Sequence, residues 1–427
     1  MRNYLLVDGN YFGHRMLHGM RSKNKEFVLK SIQEQSNFLA SLNNGLLSFY
    51  SSFNNEHYNL IDNIIFVFDN ESWRKQIPSF RPYYIDEIET ENIDYKANRI
   101  DIKEESDVDW DNFDIVMDKF HKGIEDVIVS FKTPGCEGDD GITLLTDKLK
   151  DEDITFWVFC TDGDLKQTVT NKVFLFRNIR SGECPDGEFV LSPGIFNKMF
   201  GERTPLQRMT DSSSSLLDAH RSLMFKVALN GGTYRGNISR TPGKGIAVAD
   251  PVLTALTKTI CGDKKDNVYP IYRWIKGSKN YKVTEKMIEK VWKGLDMDFS
   301  EQSAVKTVND KGLLVALLLG LKAQCKIDVI NMKSVGDHFK HNMKIIFLQL
   351  DFIPDYVKGN FDNHFNTVKD RIYKSISREE ILSINLHKEI TDNATDLLVS
   401  SVPSPNSLNT DTIKSTHNAL IDEIFNS

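Results

Sequence analysis

Cysteine is scarce in this chain: five in 427 residues, at positions 136, 160, 184, 261 and 325, an odd number with no CxxC pair. A disulfide framework or a thiolate zinc site is therefore not expected, and a reducing, cytoplasmic setting fits. The sequence has no apolar run of the ~18–20 residues that cross a bilayer, so no membrane partner is expected. The opening MRNYLLVDGN has too short an apolar stretch for a secretory leader and meets an Asp at once. There is no internal repeat. Excess positive charge is missing as well, since the formal net charge is −7, which taken alone argues against a nucleic-acid partner. The distribution of charge overturns that argument. Thirteen acidic and three basic side chains lie between Asp86 and Asp118, a local charge of −10 that leaves +3 on the rest of the chain. What is present is an ordinary globular balance, 40% hydrophobic and 26% charged, in a length that allows two or three domains.

The first two-thirds reads as α/β. Tyr4 to Val7, Ile64 to Phe68 and Ile154 to Phe159 are short apolar runs rich in branched and aromatic residues, the pattern of buried parallel strands. Between them, residues 25–50 and 111–131 have helical spacing. Residues 203–245 are rich in Ser, Gly, Thr and Arg and read as an insertion or long loop. Residues 251–380 look mainly helical, and the last thirty or so look like a flexible tail. The expected division is 1–200 catalytic, 201–250 basic insertion, 251–395 helical and nucleic-acid-binding, and 396–427 tail.

Sites in open parallel sheets form at the carboxyl ends of the strands. Asp8 follows the first expected strand, Asp69 the second, and Asp162 and Asp164 the third. A single such Asp is commonly a turn former or helix cap; three strand ends with the same chemistry are harder to explain that way. PGCEGDDG adds Glu137, Asp139 and Asp140 at a helix start. Glu137 and Asp140 share a face, whereas Asp139 points elsewhere if the helix has begun there. GDKKDNV adds Asp263 and Asp266. Capping and complementing the helix dipole is the plain alternative for both clusters. Nine converging carboxylates would repel unless neutralised, and hard oxygen ligands select Mg²⁺ or Mn²⁺ over Zn²⁺. Two such ions, about 3.5–4 Å apart, activate water and stabilise the leaving oxygen in phosphodiester hydrolysis.

A phosphate substrate needs bases too. Lys96 and Arg99 lie three apart in YKANR, where Tyr95 could stack on a base, and Arg74, Lys75 and Arg81 add charge nearby. Alone, that pentapeptide reads as a solvated helix surface. Arg203, Arg208, Arg221, Arg235, Arg240 and Lys244 make the insertion basic.

VDGN, VFDN, YKANR, EGDD, TDGD and GDKKDN occur here in the order found in the 5′-nuclease superfamily, which the chain resembles over residues 1–200 and 255 to about 360. FDNESWRK, GDKKDNV and LDFIPDYV are most similar to the ribonuclease H subgroup of T-even-type phages, 5′→3′ exonucleases and flap endonucleases that remove RNA primers. The resemblance implies a PIN-like domain with a central, mostly parallel sheet flanked by helices, plus a helical region with a degenerate helix–hairpin–helix at Tyr269 to Val291. It implies a first metal site at Asp8, Asp69, Glu137 and Asp140 with Asp139 beside them, and a second at Asp162, Asp164, Asp263 and Asp266. Lys96 and Arg99 match the pair that steers the scissile phosphate, so that Lys96, Arg99, Asp140 and Asp162 are the expected catalytic residues. Tyr95, Arg74, Lys276 and Lys279 join Lys96 and Arg99 as expected nucleic-acid contacts. In place of a glycine-rich hairpin the chain has IKGSKNYKV.

The expectation is thus a monomeric, Mg²⁺-dependent 5′-nuclease acting on 5′ ends or flaps of DNA or RNA–DNA duplexes. The tail stretch Ala419 to Phe425 suggests docking on a sliding clamp or single-strand-binding protein, or else a frayed amphipathic end. Three rivals differ in kind. A ribonuclease of the PIN class would lack Asp263 and Asp266. A non-catalytic replication protein would have substituted acids. A phosphotransferase with an Asp nucleophile would carry DxD at the first strand, where this chain has DGN.

Overall fold

Arg2–Asp8 (β1) is apolar without a polar alternation because both of its faces are covered. Leu5 and Val7 face one cluster, Tyr4 and Leu6 the other. In the computed structural model the described residues are mainly 2–78, 105–177, 251–271 and 283–384, with short gaps, together with the pieces 94–97, 188–190, 275–276 and 279–280.

After β1 the chain forms α1 (Gly9–Lys23), whose N-cap is Asp8, and α2 (Ile32–Phe53), which opens with a reciprocal Ser31/Glu34 capping box. It then enters β2 (Asn63–Val67). In α3 (Trp110–Ile124), Phe113, Val116, Met117, Phe120 and Ile124 recur at helical spacing and are all buried. β3 (Val129–Phe131), α4 (Gly138–Lys148), β4 (Ile154–Phe159), β5 (Val173–Arg177) and β6 (Glu188–Val190) follow. The sheet order is β3-β2-β1-β4-β5-β6. All pairings are parallel except β5 with β6. The chain winds outward from β1 through β2 to β3 and then returns to β4 on the other side, so the strand order reverses beside β1. This is where open α/β sheets form their crevice.

Helices α1, α2 and α3 cover one face of the sheet. The other face is covered by α4 and, from far along the chain, by α10 (Asp355–Ile372), with Phe361, Phe365, Val368 and Ile372 buried. Phe361 stacks on Phe131 of β3 at 5.0 Å between ring centroids. The side-chain amide of buried Asn63 donates to the carbonyls of Arg371, Ile372 and Lys374, tying the end of α10 to the start of β2. Ile381 of α11 (Arg378–Leu382) joins the first face.

A separate cluster is built from α5 (Pro251–Cys261), α6 (Glu285–Gly294), α7 (Glu301–Asn309), α8 (Lys311–Cys325) and α9 (Met332–Ile346). The expected helical region 251–395 therefore divides. Residues 251–347 make their own core, while those from Leu348 to Ile384 return to the sheet. Apolar periodicity marks these later segments as helical but does not say which surface each one covers. One further expectation changes: 111–131 is not helical throughout, because its last three residues are β3. No described helix is long and apolar enough to cross a membrane. The insertion 201–250 and the tail 396–427 lie outside the described residues.

Candidate active site

Four neighbouring strands, β3, β2, β1 and β4, each deliver acid to one rim. Asp8 ends β1, and its side chain accepts the N–H of Tyr11 at 2.9 Å, capping α1. Asp69 lies just beyond β2; Asn10 Oδ1 accepts its backbone N–H, and its own Oδ1 accepts the Gly138 N–H at 2.6 Å. Asp69 thus takes the first amide of α4. Glu137 stands at the N-cap position but makes no side-chain cap bond, which removes capping as its explanation. The glycine at 138 makes room for this approach, since a Cβ there would lie 3.0 Å from Asp69 Oδ1 and 3.4 Å from the Val67 carbonyl.

Carboxylate oxygens of Glu137, Asp139 and Asp140 lie within 4.8 Å of one another. Asp139, expected to point away, joins the group because the turn at Gly138 starts the helix with Glu137 still outside it. A second group within the same limit holds Asp164, Asp263 and Asp266. Asp162 adjoins it, accepting the Asp164 N–H at 2.9 Å. The loop that carries Asp263 and Asp266 is held by an antiparallel bridge from Asp263 to Val268 and by Gly262 at φ +77°. A Cβ at 262 would meet the Val268 carbonyl at 2.5 Å, so only glycine fits there.

Arg74 departs most from its expected role as a surface phosphate contact. It is 1% exposed. Nη1 donates to Glu137 Oε2 at 2.8 Å and to Asp140 Oδ2 at 2.7 Å, Nη2 to Asp140 Oδ1 at 2.7 Å, and Nε to the Ile345 carbonyl at 2.9 Å. Trp73 Nε1 donates to Asp140 Oδ2 at 2.9 Å. A buried guanidinium is tolerable only when paired in this way. The same network takes up both oxygens of Asp140, making it the rim's anchor. Tyr95, expected to stack on a base, instead packs against the apolar cluster of α5 to α9 with its hydroxyl 3.4 Å from Glu137 Oε2. Lys96 donates its ammonium to Glu137 Oε1 and its backbone N–H to the Asp266 carbonyl, and so spans both acid groups. It does this from a left-handed backbone, φ +59°. Arg99 lies outside the described residues. Lys276 and Lys279 pair in a short antiparallel hairpin, but their side chains lie outside the description. His14 stacks on Phe113.

The electrostatics follow from crowding. Burial, then Asp69 and Asp162, push Asp8 up to about 8. Burial and Asp140 raise Asp139 well above the carboxylate range. Burial and Asp162 raise Asp164 to about 6. Burial would raise Glu137 too, but Lys96 and Arg74 outweigh it and hold the group at about 2. One participant escaped sequence reasoning altogether. Lys258 on α5 donates to Asp164 Oδ1 at 2.5 Å and lies 2.8 Å from Asp263 Oδ2. Its only sequence signal was a position one helical turn before GDKKDN. The donor set is oxygen throughout, clustered and short of positive charge, and it fits hard divalent cations.

A doubly wound sheet of this order, with its crevice beside β1, has the resolvase-like, PIN-type architecture. Residues 3–190 match the family described as "5'-3' exonuclease, N-terminal resolvase-like domain". No curated protein matches the sequence. Among solved structures, a bacteriophage T5 protein crystallised with metal ions is similar at 14% identity and TM-score 0.47, over 86% of this chain and 99% of that one. T5 5′-exonuclease with bound zinc ions is similar at 14% and 0.44 over the same shares. The bacteriophage T5 flap endonuclease in complex with DNA and metal ions is similar at 15% and 0.41, over 90% and 99%.

Proposed function

We propose that this chain is a divalent-metal-dependent, structure-specific 5′-nuclease. It hydrolyses phosphodiesters at 5′ ends or flaps of DNA or RNA–DNA duplexes and removes RNA primers in phage DNA replication. The observation that carries this reading is the convergence of acids from four adjacent strand ends and the 263–266 loop on one rim. The expected nine acids outnumber the bases that pair with them, Arg74, Lys96, Lys258 and Lys265 among them, and two divalent cations would offset much of the excess. Asp8, Asp69, Glu137 and Asp139 would hold one, with Asp140 behind them; Asp162, Asp164, Asp263 and Asp266 would hold the other. Mg²⁺ is the cation expected, with Mn²⁺ able to replace it. When bound, the ions supply Lewis acidity at the scissile phosphate and lower the pKa of the attacking water.

The chain's own residues do the rest. Arg74 and Trp73 fix Asp140 and Glu137, so the rim does not collapse or splay when charge arrives. Lys96 is placed to exchange Glu137 for a phosphate oxygen, with Arg99 beside it in sequence. The basic hairpin at Lys276 and Lys279 is suited to duplex backbone. The presence of Asp263 and Asp266 beside Asp164 speaks against the PIN-class ribonuclease.

The test sets a 5′-labelled flap duplex, a blunt duplex and single-stranded RNA against the enzyme, with Mg²⁺ or chelator. Flap cleavage that stops with chelator is the expected result; indifference to chelator, or cleavage of single-stranded RNA alone, would overturn the reading. Asp162→Asn should lower turnover by orders of magnitude yet leave flap affinity within a few-fold, because lysines and arginines carry binding. Lys96→Ala should slow single-turnover cleavage, and an unchanged rate would remove its role.

A further inference from the structure

The second acid group already contains a cation of its own. Lys258 lies in the last turn of α5, just ahead of the Gly262 turn, and that helix packs on the short helical turn Asp164–Thr168. Its ammonium bridges Asp164 and Asp263 at 2.5 and 2.8 Å. These are two of the three residues whose carboxylates lie within 4.8 Å of one another. An ammonium held between two carboxylates fills the space a hard cation would take, and its hydrogen bonds use the oxygens that would be ligands. The first group is arranged differently. Arg74 is buried against Glu137 and Asp140 and reaches onward to the Ile345 carbonyl, so it belongs to the framework. Lys258 is a quarter exposed and sits on a flexible four-carbon stem, which gives it a way out.

We propose that Lys258 is the built-in counter-ion of the second group. It competes there with the divalent cation, so the second ion binds only when the ammonium swings away. This deepens the two-cation reading and rests on it. In the free protein the ammonium keeps Asp164 and Asp263 together and neutralised. Lys96 meets the first group at Glu137, whereas Lys258 bridges two carboxylates of the second; the two ion sites are therefore unequal, and the second loads at the expense of two charge-assisted hydrogen bonds.

The experiment titrates Mn²⁺ into the full chain without nucleic acid and follows free Mn²⁺ by electron paramagnetic resonance. The wild type should show one tight ion and a second at least tenfold weaker. Lys258→Met should tighten the second by tenfold or more and leave the first within twofold. Lys258→Gln, which can still donate hydrogen bonds to both carboxylates should Lys258→Met fail to fold, should do the same. Lys258→Arg should keep the second ion weak. Two equally tight ions in the wild type, or neutral variants whose second ion binds no tighter, would overturn the proposal and leave the two-cation reading standing. Absence of bound Mn²⁺ in the wild type and in every variant would instead remove that reading and the proposal with it.

Discussion

Arg74 follows Trp73 in a stretch that reads from the sequence as a basic surface, yet its guanidinium ends inside the protein between Glu137 and Asp140. Arg74→Met keeps much of the volume and removes the charge. It leaves the buried Asp140 carboxylate without its cation and Glu137 with Lys96 in place of two bases, a change worth about 3–5 kcal/mol. Urea denaturation in chelator should show a loss of that size, and a loss below about 1 kcal/mol would mean the pair contributes little. The acids themselves were legible because strand ends are legible: an apolar run followed by Asp marks the rim, and Asp8, Asp69 and Asp162 fall where that rule puts them. The bases were not. A lysine or arginine beside an acidic motif looks the same in sequence whether it meets solvent, as expected for Arg74, or a buried carboxylate. Lys258 lay in an apolar helical stretch, singled out only by its place one turn before GDKKDN.

At the level of elements, the least legible was β3. Three residues, Val129–Phe131, give too short a run to separate from the helix before them. Yet β3 is the fourth strand end and the reason that Glu137 reaches the rim. The clamp between 94–97 and 263–268 is equally hidden. Asn267, at φ +56°, donates its side-chain amide to the Asp94 carbonyl at 2.9 Å, and Lys96 returns a backbone bond to Asp266. Left-handed residues at both partners carry no sequence mark beyond Asn's tolerance of that region. Helix α9 makes a prediction of its own. Burial, then the neighbouring His341, holds His338 down at about 3, and burial with Lys344 holds His341 at about 4. An unfolded chain takes up these protons near pH 6.5 and the folded chain refuses them. Stability is therefore full above about pH 6.5 and falls as pH drops, by about 2 kcal/mol per imidazole at pH 5. Thermal melts at pH 7 and 5 should differ in this sense, and His338→Gln with His341→Gln should flatten part of the slope. An unchanged slope would place the protons elsewhere.

Across the whole molecule, the sheet depends on chain from the far end. Phe361, Phe365, Val368 and Ile372 are all buried against it. At about 1.5–3 kcal/mol each, their burial is comparable with the 5–15 kcal/mol that holds a typical domain together. A chain ending at residue 347 should fail to fold cooperatively, seen as lost solubility and a broad circular-dichroism melt. A sharp melt from that truncation would show that α10 is dispensable. The sequence shows α10 as a helix but not as a cover, because its apolar stripe does not name the surface it meets. A ribosome completes all of the sheet's parallel strands long before it reaches Asp355. Until then the nascent polypeptide displays an apolar plane to the cell, with β3 and its neighbours as open invitations to wrong partners. Synthesis of this protein thus carries an interval of exposure set by translation speed, in which slow codons between the two halves would be harmful and a holding chaperone useful.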